Sequence, residues 1–507
     1  MALFKTHSAA VYGIDAHLID VEVDMYPGSA REFVTVGLPD VAVRESRERI
    51  KSSLINCGFG YPNKAVTINL APANVRKEGA GFDLPMAVGI LGAMGRLDPA
   101  SLEDCLMVGE LSLDGGLRPV RGTLSIAVCA RRQGMQRLVV PYENAQEAAV
   151  VEGISVYGLK HLGEVVERVG QWDNFAPTSR EPGAAAAPNG AGLDFHDVKG
   201  QQAAKRALEV AAAGAHNLLM IGPPGSGKTM LAKRLAGILP PLTFEEAIET
   251  TKIHSVAGTL NPGEGILLER PFRSPHHTIS DAGMVGGGSG IPKPGEVSLA
   301  HNGMLFLDEL PEFPRNTLEV LRQPLEEGSL SIARANLTLT FPARFMLVAA
   351  MNPCPCGYYG DGNRECRCTP PIILRYLAKI SGPLLDRIDI HIELPAVRYK
   401  EMRSDGGAEE SAAIRARVER AREIQKARGY YNAQLPARPL RKYCVLDEAG
   451  ERTLELAVQR MALSARAHDR ILKLARTIAD LDGSQTLAAK HIAEAVQYRS
   501  LDRSYWS

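Results

Sequence analysis

The sequence lacks any run of roughly 18 uninterrupted apolar residues, the length that a membrane-spanning helix needs. Its first residues also lack the basic-then-apolar pattern of a secretory signal. The formal net charge is zero, so overall charge argues neither for nor against a nucleic-acid partner. We find no internal repeat. These absences exclude a membrane-spanning or secreted class and predict a cytoplasmic protein.

The composition is that of an ordinary folded protein with several domains. The chain has 507 residues, of which 45% are hydrophobic and 23% are charged. Because one hydrophobic core rarely serves so long a chain, we expect roughly two to four domains. Local charge is uneven: residues 1–175 sum to about −4 and residues 398–507 to about +6. Any contact with a polyanion is therefore expected in the C-terminal part.

Changes in pattern along the chain predict four segments. Residues 1–173 alternate strand-like and helical runs, which indicates an α/β domain. Residues 174–192 are rich in proline, glycine and alanine without periodicity, which is typical of a flexible linker. Residues 193–395 hold the strand–loop–helix units of a parallel sheet. Residues 396–507 change to amphipathic helices, clearest at Ser411–Ala427, Glu448–Ile478 and Ala488–Tyr498.

A phosphate-binding loop lies between a buried strand and a helix of the third segment. The strand is 217–221 and the helical run is 230–238. Between them the sequence matches GxxxxGK[ST] at every position. Backbone N–H groups of such a loop converge on phosphate oxygens, the lysine reaches the β- and γ-phosphates, and the hydroxyl binds Mg²⁺. The predicted ATP-binding residues are Gly222, Pro223, Pro224, Gly225, Ser226, Gly227, Lys228 and Thr229.

Two further strand ends carry polar residues that suit ATP hydrolysis. The apolar strand 304–307 ends in Asp308 and Glu309. We predict that Asp308 binds Mg²⁺ with Thr229 and that Glu309 polarises the attacking water. A third strand, 344–350, leads to Asn352, whose side chain is predicted to sense the γ-phosphate or orient the water. The alternative for Asn352 is a simple turn residue before proline.

Two arginines complete the predicted catalytic set. Arg387 lies in the segment 381–389 and suits a finger that reaches the γ-phosphate of a neighbouring subunit. Arg466 lies near the start of a C-terminal helix, from which it is predicted to reach the phosphates. A solvated or ion-paired surface arginine is the alternative for both.

Eight cysteines fit a reduced protein with a metal site better than a disulfide framework, because four of them cluster. The cluster consists of Cys354, Cys356, Cys366 and Cys368. Four thiolates across a short loop satisfy tetrahedral Zn²⁺ and leave no open coordination position, so a structural zinc site is expected. Unligated thiols and disulfides are the alternatives.

The chain resembles the magnesium-chelatase-like AAA+ ATPases, in particular the bacterial ComM/YifB group, over nearly its whole length. The segments that carry this resemblance are 270–278 (RPFRSPHHT), 286–288 (GGG), 294–301 (PGEVSLAH), 306–313 (FLDELPEF), 352–357 (NPCPCG), 379–389 (KISGPLLDRID) and 475–481 (ARTIADL). The resemblance implies an AAA+ core with a C-terminal helical lid. It also implies a hexameric ring ATPase.

By this resemblance the function is that of a DNA helicase, which promotes branch migration and strand integration during natural transformation and recombination. Branched or single/double-strand DNA junctions and other recombination proteins are the implied partners. Arg387 takes the finger role in trans, and Arg466 takes the second-sensor role. A chelatase-type ATPase that remodels a protein partner is the alternative. That reading would call for an integrin-like partner module, and the sequence shows none.

Two insertions support a motor. Between Lys228 and Asp308 lies more chain than a helix–strand connection needs, including His276, His277 and a glycine-rich loop, 283–290, which is predicted to face the ring pore. The sequence leaves two alternatives for these histidines, a structural role and a catalytic role. Residues 329–341 alternate like a hairpin, which in related helicases projects into the pore. Arg334 is the candidate DNA-phosphate contact.

The N-terminal segment resembles the proteolytic domain of Lon-type proteases at 78–87 and 109–144, which raises ATP-dependent proteolysis as a rival function. That chemistry needs a serine nucleophile and a lysine base. The aligned positions hold Gly81 and Leu124. Other serines and lysines nearby, Ser112, Ser125 and Lys77, are poorly placed substitutes. A degenerate protease domain that is not an active protease is therefore expected.

Overall fold

The computed structural model describes residues 3–29, 31–180, 192–261, 263–288, 290–334, 337–362, 364–396, 409–461 and 464–501. Residues 181–191 of the predicted linker and the hairpin turn at Ala335–Asn336 lie outside these ranges. No helix of the described residues is long and apolar enough to span a membrane. Short 3₁₀ turns connect several of the elements given below.

The N-terminal part is built on a mixed sheet of seven strands in the order β3-β4-β2-β1-β5-β8-β9. Its strands are β1 Phe4–Tyr12, β2 Asp15–Tyr26, β3 Phe33–Val36, β4 Ala65–Ala71, β5 Cys105–Met107, β8 Arg137–Pro141 and β9 Ser155–Leu159, with a small hairpin of β6 Glu110–Leu111 and β7 Leu117–Arg118. Its helices are α1 Val41–Asn56, α2 Asp83–Ala93, α3 Thr123–Arg132, α4 Ala145–Ala148 and α5 Leu162–Arg168.

The middle part is built on a parallel sheet of five strands in the order β11-β14-β17-β10-β18. These strands are β10 Leu218–Ile221, β11 Phe272–Arg273, β14 Met304–Leu307, β17 Met346–Met351 and β18 Ile390–Glu393. Two antiparallel pairs lie beside it: β12 Gly286–Gly287 with β13 Lys293–Pro294, and β15 Ser329–Arg334 with β16 Leu337–Pro342. The pairing of β15 with β16 confirms the predicted hairpin.

Helices surround this sheet. They are α6 Gln202–Gly214, α7 Lys228–Ile238, α8 Phe244–Ala257, α9 Asp281–Val285, α10 Glu296–Leu299, α11 Arg315–Glu319, α12 Arg322–Glu327, α13 Pro370–Leu377 and α14 Gly382–Leu385. The central strands β10, β14 and β17 are buried at every residue, as expected of parallel strands covered on both faces. Along β10, Leu218 and Met220 join one hydrophobic cluster, while Leu219 and Ile221 join another on the opposite face.

The C-terminal part is helical among the described residues. Its helices are α15 Ser411–Arg428, α16 Ala437–Tyr443, α17 Glu448–Met461, α18 Ala465–Leu481 and α19 Ala489–Gln497. They extend one of the two clusters of the parallel sheet, since Ile471, Leu474 and Ile478 of α18 pack in the same core as Leu218. The single helical run predicted over Glu448–Ile478 is wrong. It is divided because the Ser464 hydroxyl caps a new helix by accepting from Ala467 N at 3.2 Å.

The N-terminal part is docked on helix α8 of the middle part. Glu147 is buried, and its carboxylate accepts hydrogen bonds from Leu124 N at 2.7 Å and from the Ser255 hydroxyl of α8. Burial raises the pKa of this carboxyl. Lys252, also of α8, lies 3.0 Å from the Asp15 carboxylate. These polar contacts join the two parts across a shared interface.

Candidate nucleotide-binding site

The loop between β10 and α7 has the backbone that a phosphate cradle needs. Gly225 and Gly227 have φ of +80° and +88°, which side-chain-bearing residues rarely adopt. A Cβ at Gly222 would lie 2.4 Å from Leu394 O, so this position has room only for glycine. The Ser226 hydroxyl is buried without a hydrogen-bond partner in the described structure. The loop therefore presents backbone amides and a spare hydroxyl at the N-terminus of α7.

Lys228 joins this loop to the neighbouring strand end. Its ammonium donates to Gly222 O at 2.7 Å, to Pro223 O at 3.0 Å and to the Asn352 side-chain oxygen at 3.1 Å. Burial lowers the pKa of Lys228, while the carboxylates of Asp308 and Glu309 raise it. Asn352, at the end of β17, thus lies beside the lysine, although nothing in the sequence spacing fixes that contact.

Thr229 and Asp308 form the second link across the site. The Thr229 hydroxyl donates to Asp308 Oδ2 at 2.6 Å, and Asp308 Oδ1 accepts from Glu309 N at 2.9 Å. Hydroxyl and carboxylate oxygens are the ligands that Mg²⁺ prefers. The two oxygens predicted to bind that ion are therefore adjacent, although 79 residues separate them in the chain.

Glu309 has a partner that sequence reasoning left open. Its backbone is left-handed, with φ of +53°, and Oε2 lies 3.3 Å from His277 Nδ1. The His277 ring packs against His276, with ring centroids 4.1 Å apart, and meets the edge of Phe313. One of the two histidines therefore contacts the proposed general base. In the sequence, the position of His277 in the insertion after β11 was the only indication of this contact.

The two arginines lie at the other end of β10 from the phosphate loop. Asn217, which precedes β10, donates through Nδ2 to Arg387 O at 2.8 Å, whereas Gly222 follows the same strand. Arg387 and Arg466 both line a cavity of about 270 Å³, which we call the arginine pocket. Arg470 and Lys473 of α18 also line it. Contact between Arg466 and the phosphates of its own subunit does not fit this placement, because a four-residue strand separates the two sites.

The four cysteines converge directly after Asn352. Their sulfur atoms all lie within 4.8 Å of one another, and three pairs are separated by 3.3, 3.7 and 3.6 Å. Tetrahedral Zn–S bonds of about 2.3 Å place sulfurs about 3.8 Å apart, so this spacing suits zinc. The cysteine loop also abuts the phosphate loop: a Cβ on Gly357 would lie 2.5 Å from Pro224 Cδ. The loop thus packs against the nucleotide site.

The two predicted pore insertions contact each other. A Cβ on Gly286 of β12 would lie 3.1 Å from Ile332 Cδ1 of the hairpin, and one on Gly287 would lie 4.0 Å from Arg334 Nη2. Arg334 is exposed at the end of β15. The residue that follows the glycine-rich loop contacts the N-terminal part, because Ile291 N donates to the Glu78 carboxylate at 3.1 Å.

The N-terminal candidates for proteolysis are bonded to separate partners. The Lys77 ammonium donates to Pro72 O, and the Ser125 hydroxyl donates to Ile14 O at 2.6 Å. The Ser112 hydroxyl bonds Asp114 and Gly116 O. Leu124, at the predicted position of the base, is fully buried. None of these contacts joins a serine to a lysine.

Three segments of the chain match families of magnesium chelatase subunits. Residues 194–402 match the family described as magnesium chelatase, subunit ChlI. Residues 21–144 match the family subunit ChlI of Mg-chelatase, and residues 408–499 match the ChlI C-terminal family. One match falls in each of the N-terminal, middle and C-terminal parts described above.

Several curated relatives are similar over the full length. Competence protein ComM of Haemophilus influenzae is 46% identical over 510 residues, covering 99% of this chain and 98% of that protein. The uncharacterized protein YifB of Salmonella typhimurium is 46% identical over 508 residues, with the same coverage. A Lon protease of Rhizobium meliloti is 26% identical over 164 residues, which is 30% of this chain and 20% of that protein.

Proposed function

The chain belongs to the magnesium-chelatase-like AAA+ family, in the ComM/YifB group, and on that premise we propose that it is an ATP-driven ring motor acting on DNA. The family implies an ATPase that uses ATP and Mg²⁺. The proposed division is a Lon-protease-like domain at 1–173, a linker at 174–192, the AAA+ core at 193–395 and a helical lid at 396–507.

Within one subunit, the residues at the phosphate loop bind and activate ATP. Lys228 neutralises the β- and γ-phosphates, and the loop amides donate to their oxygens. Thr229 and Asp308 would hold Mg²⁺, which would supply charge neutralisation at the phosphates. Glu309 accepts a proton from the attacking water, and Asn352 orients that water or the γ-phosphate. The contacts of Lys228 with Asn352 and of Thr229 with Asp308 support this assignment.

The observation that carries the ring proposal is the separation of the two charged sites along β10. Lys228, Asp308 and Glu309 lie at one end, whereas Arg387 and Arg466 lie at the other. A phosphate bound by one subunit therefore meets these arginines only if a second copy presents its arginine pocket. Repetition of such a head-to-tail contact gives a ring when the rotation between copies closes, and we propose a homo-hexamer.

DNA is the proposed substrate of this motor. Similarity to a competence protein over 99% of the chain supports a role in natural transformation and recombination. The β15–β16 hairpin supplies an exposed Arg334 for phosphate contact. We propose a helicase that promotes branch migration and strand integration together with other recombination proteins. Remodelling of a protein partner is the second candidate, since the family is named for a chelatase subunit.

We also assign roles to two regions outside the ATPase site. Cys354, Cys356, Cys366 and Cys368 are proposed to bind one structural Zn²⁺, because their sulfurs have tetrahedral spacing. The N-terminal domain is proposed to be proteolytically inactive and to serve assembly or DNA contact. Glycine and leucine at positions 81 and 124 support this assignment.

The test is a strand-exchange assay on a labelled three-strand junction with ATP and Mg²⁺. Wild-type protein should resolve the junction, and DNA should stimulate its ATP hydrolysis. The Glu309→Gln variant should neither resolve the junction nor hydrolyse ATP. If ATP is hydrolysed while DNA is neither remodelled nor stimulatory, the DNA proposal fails and protein remodelling takes its place.

A further inference from the structure

The β15–β16 hairpin begins and ends at the arginine pocket. Leu325 and Glu326 of α12 line the pocket just before the hairpin starts, and Phe345 lines it just after the hairpin ends. The two ends of the hairpin are joined, because Ala343 N donates to Gly328 O at 2.9 Å. The end of α12 and both ends of the hairpin therefore lie together at this pocket.

Arg387 is bound inside this pocket by Glu326. Its Nη2 donates to Glu326 Oε2, and its Nη1 donates to Pro383 O at 2.7 Å. Its Nε is buried without a partner in the described structure. The Arg387 side chain is 11% exposed and that of Glu326 is 59% exposed, so the guanidinium is largely buried while the carboxylate reaches solvent. Arg387 lowers the pKa of Glu326 and keeps it anionic.

We propose that Glu326 occupies the place that the γ-phosphate of a neighbouring subunit takes during hydrolysis. It is a positioning residue: exchange of this carboxylate for the phosphate on Arg387 releases α12 and so changes the position of the hairpin. Occupancy of one nucleotide site then sets the DNA contact of the adjacent subunit. This inference rests on the proposed function, because it requires Arg387 to act in trans.

The physical basis is competition between two anions for one guanidinium. A half-exposed ion pair is weak, and a γ-phosphate offers more charge and more acceptor oxygens than a carboxylate. Arg466, Arg470 and Lys473 line the same pocket and add positive charge that favours the phosphate, against the carboxylates of Asp386 and Asp389. The Glu326 pair is therefore strong enough to hold α12 and weak enough to be replaced.

The experiment compares Glu326→Gln with Glu327→Gln in the full-length assembled protein. Glu327 is the adjacent carboxylate of α12 and contacts Gln323 on its own helix, so it is a matched control. Steady-state hydrolysis is measured without DNA. Hydrogen exchange is measured in peptides covering α12 and the hairpin, with and without a non-hydrolysable ATP analogue.

We expect Glu326→Gln to raise kcat without DNA by roughly two- to fivefold at unchanged KM, since ATP binding uses the other end of β10. Without nucleotide, its α12 and hairpin peptides should exchange as fast as those of nucleotide-bound wild type. Glu327→Gln should match wild type in both readouts. A purely structural role of Glu326 would change KM and kcat together or leave the exchange nucleotide-dependent.

The inference is overturned if nucleotide changes hairpin exchange equally in wild type and Glu326→Gln. An Arg387→Ala variant separates this failure from failure of the proposed function. If Arg387→Ala abolishes hydrolysis while Glu326→Gln behaves as wild type, only the Glu326 inference fails. If Arg387→Ala hydrolyses ATP normally, the trans role itself fails, and the Glu326 inference with it.

Discussion

Two glycine-containing segments of this chain each lead into a helix, yet only one is followed by the side chains of a reaction. Gly222–Gly227 leads into α7, where Lys228 and Thr229 contact Asn352 and Asp308. Gly79–Gly81 leads into α2 of the Lon-like part, where Lys77 and Ser125 are bonded to unrelated backbone groups. The comparison teaches that two similar glycine-containing backbones carry different side-chain contacts, and we propose that these contacts decide which of the two sites is active.

The largest expected difference between the two segments comes from replacing the buried lysine of each. Lys228→Ala should lower ATP hydrolysis by about 100- to 1,000-fold, because it removes the charge that meets the phosphates. Lys77→Met should leave kcat within about twofold, since Lys77 only satisfies a backbone carbonyl. The measurement is the steady-state rate of ATP hydrolysis by each variant. An equal loss in both variants would mean that the N-terminal segment also takes part in the reaction.

The second prediction concerns what supports the active segment. A Cys354→Ala/Cys366→Ala variant should lose its zinc and unfold about 5–10 °C lower than wild type, because metal binding stabilises the loop against Pro224. Cys57→Ala/Cys129→Ala removes two thiols of the N-terminal part and should keep the metal. Metal analysis and thermal unfolding test both. Zinc-free wild-type protein would contradict the assignment.

The third prediction concerns the stability of the N-terminal segment. Asp83 begins α2, and burial raises its pKa to about 6 despite its hydrogen bonds from Arg49. A raised pKa means that the folded state binds the proton more tightly, so this stabilisation is present at low pH and is lost as pH rises through 6. The unfolding free energy of wild type relative to Asp83→Asn should fall by about 2 kcal/mol between about pH 4.5 and 7.

Denaturant unfolding of the two proteins across that pH range measures this difference. A constant difference would show that Asp83 stays ionised beside Arg49 throughout, and that the ion pair outweighs burial.

The smallest expected effect is on peptide cleavage, when a serine nucleophile alone is placed at position 81. A Cβ added at Gly81 would lie 3.6 Å from Val120 Cγ1, which is an ordinary van der Waals distance, so Gly81→Ser should fold normally. It should cleave no peptide substrate, because the base position holds buried Leu124. Peptide turnover sensitive to a serine-directed inhibitor would contradict the proposal that the N-terminal domain is proteolytically inactive.

Local pattern was enough to predict the phosphate loop, the acidic strand end and the β15–β16 hairpin, because each is encoded by residues adjacent in sequence. It also predicted an N-terminal α/β domain, a parallel sheet and C-terminal helices, and the division at 173, 192 and 395 stays a prediction. It did not separate α17 from α18, since the apolar periodicity continues across the capping residue Ser464. A helix cap depends on one side chain, whereas helical periodicity is a property of many residues, so the periodicity hides the boundary.

The contacts that pattern could not predict join residues far apart in the chain without a motif. Glu309 with His277 and Arg387 with Glu326 are of this kind. The position of Arg466 also could not be predicted from local pattern. Its helix could be recognised, but its place at the Asn217 end of β10 depends on how the C-terminal helices pack against the parallel sheet.

The most direct test of the central claim, a nucleotide site completed by a second copy of the chain, is to mix two inactive variants. Glu309→Gln lacks the proposed base, and Arg387→Ala lacks the proposed finger. If the finger acts in trans, random mixing makes about a quarter of the interfaces fully wild type, and ATP hydrolysis reappears. If each subunit completes its own site, the mixture stays as inactive as its components, and the account is wrong.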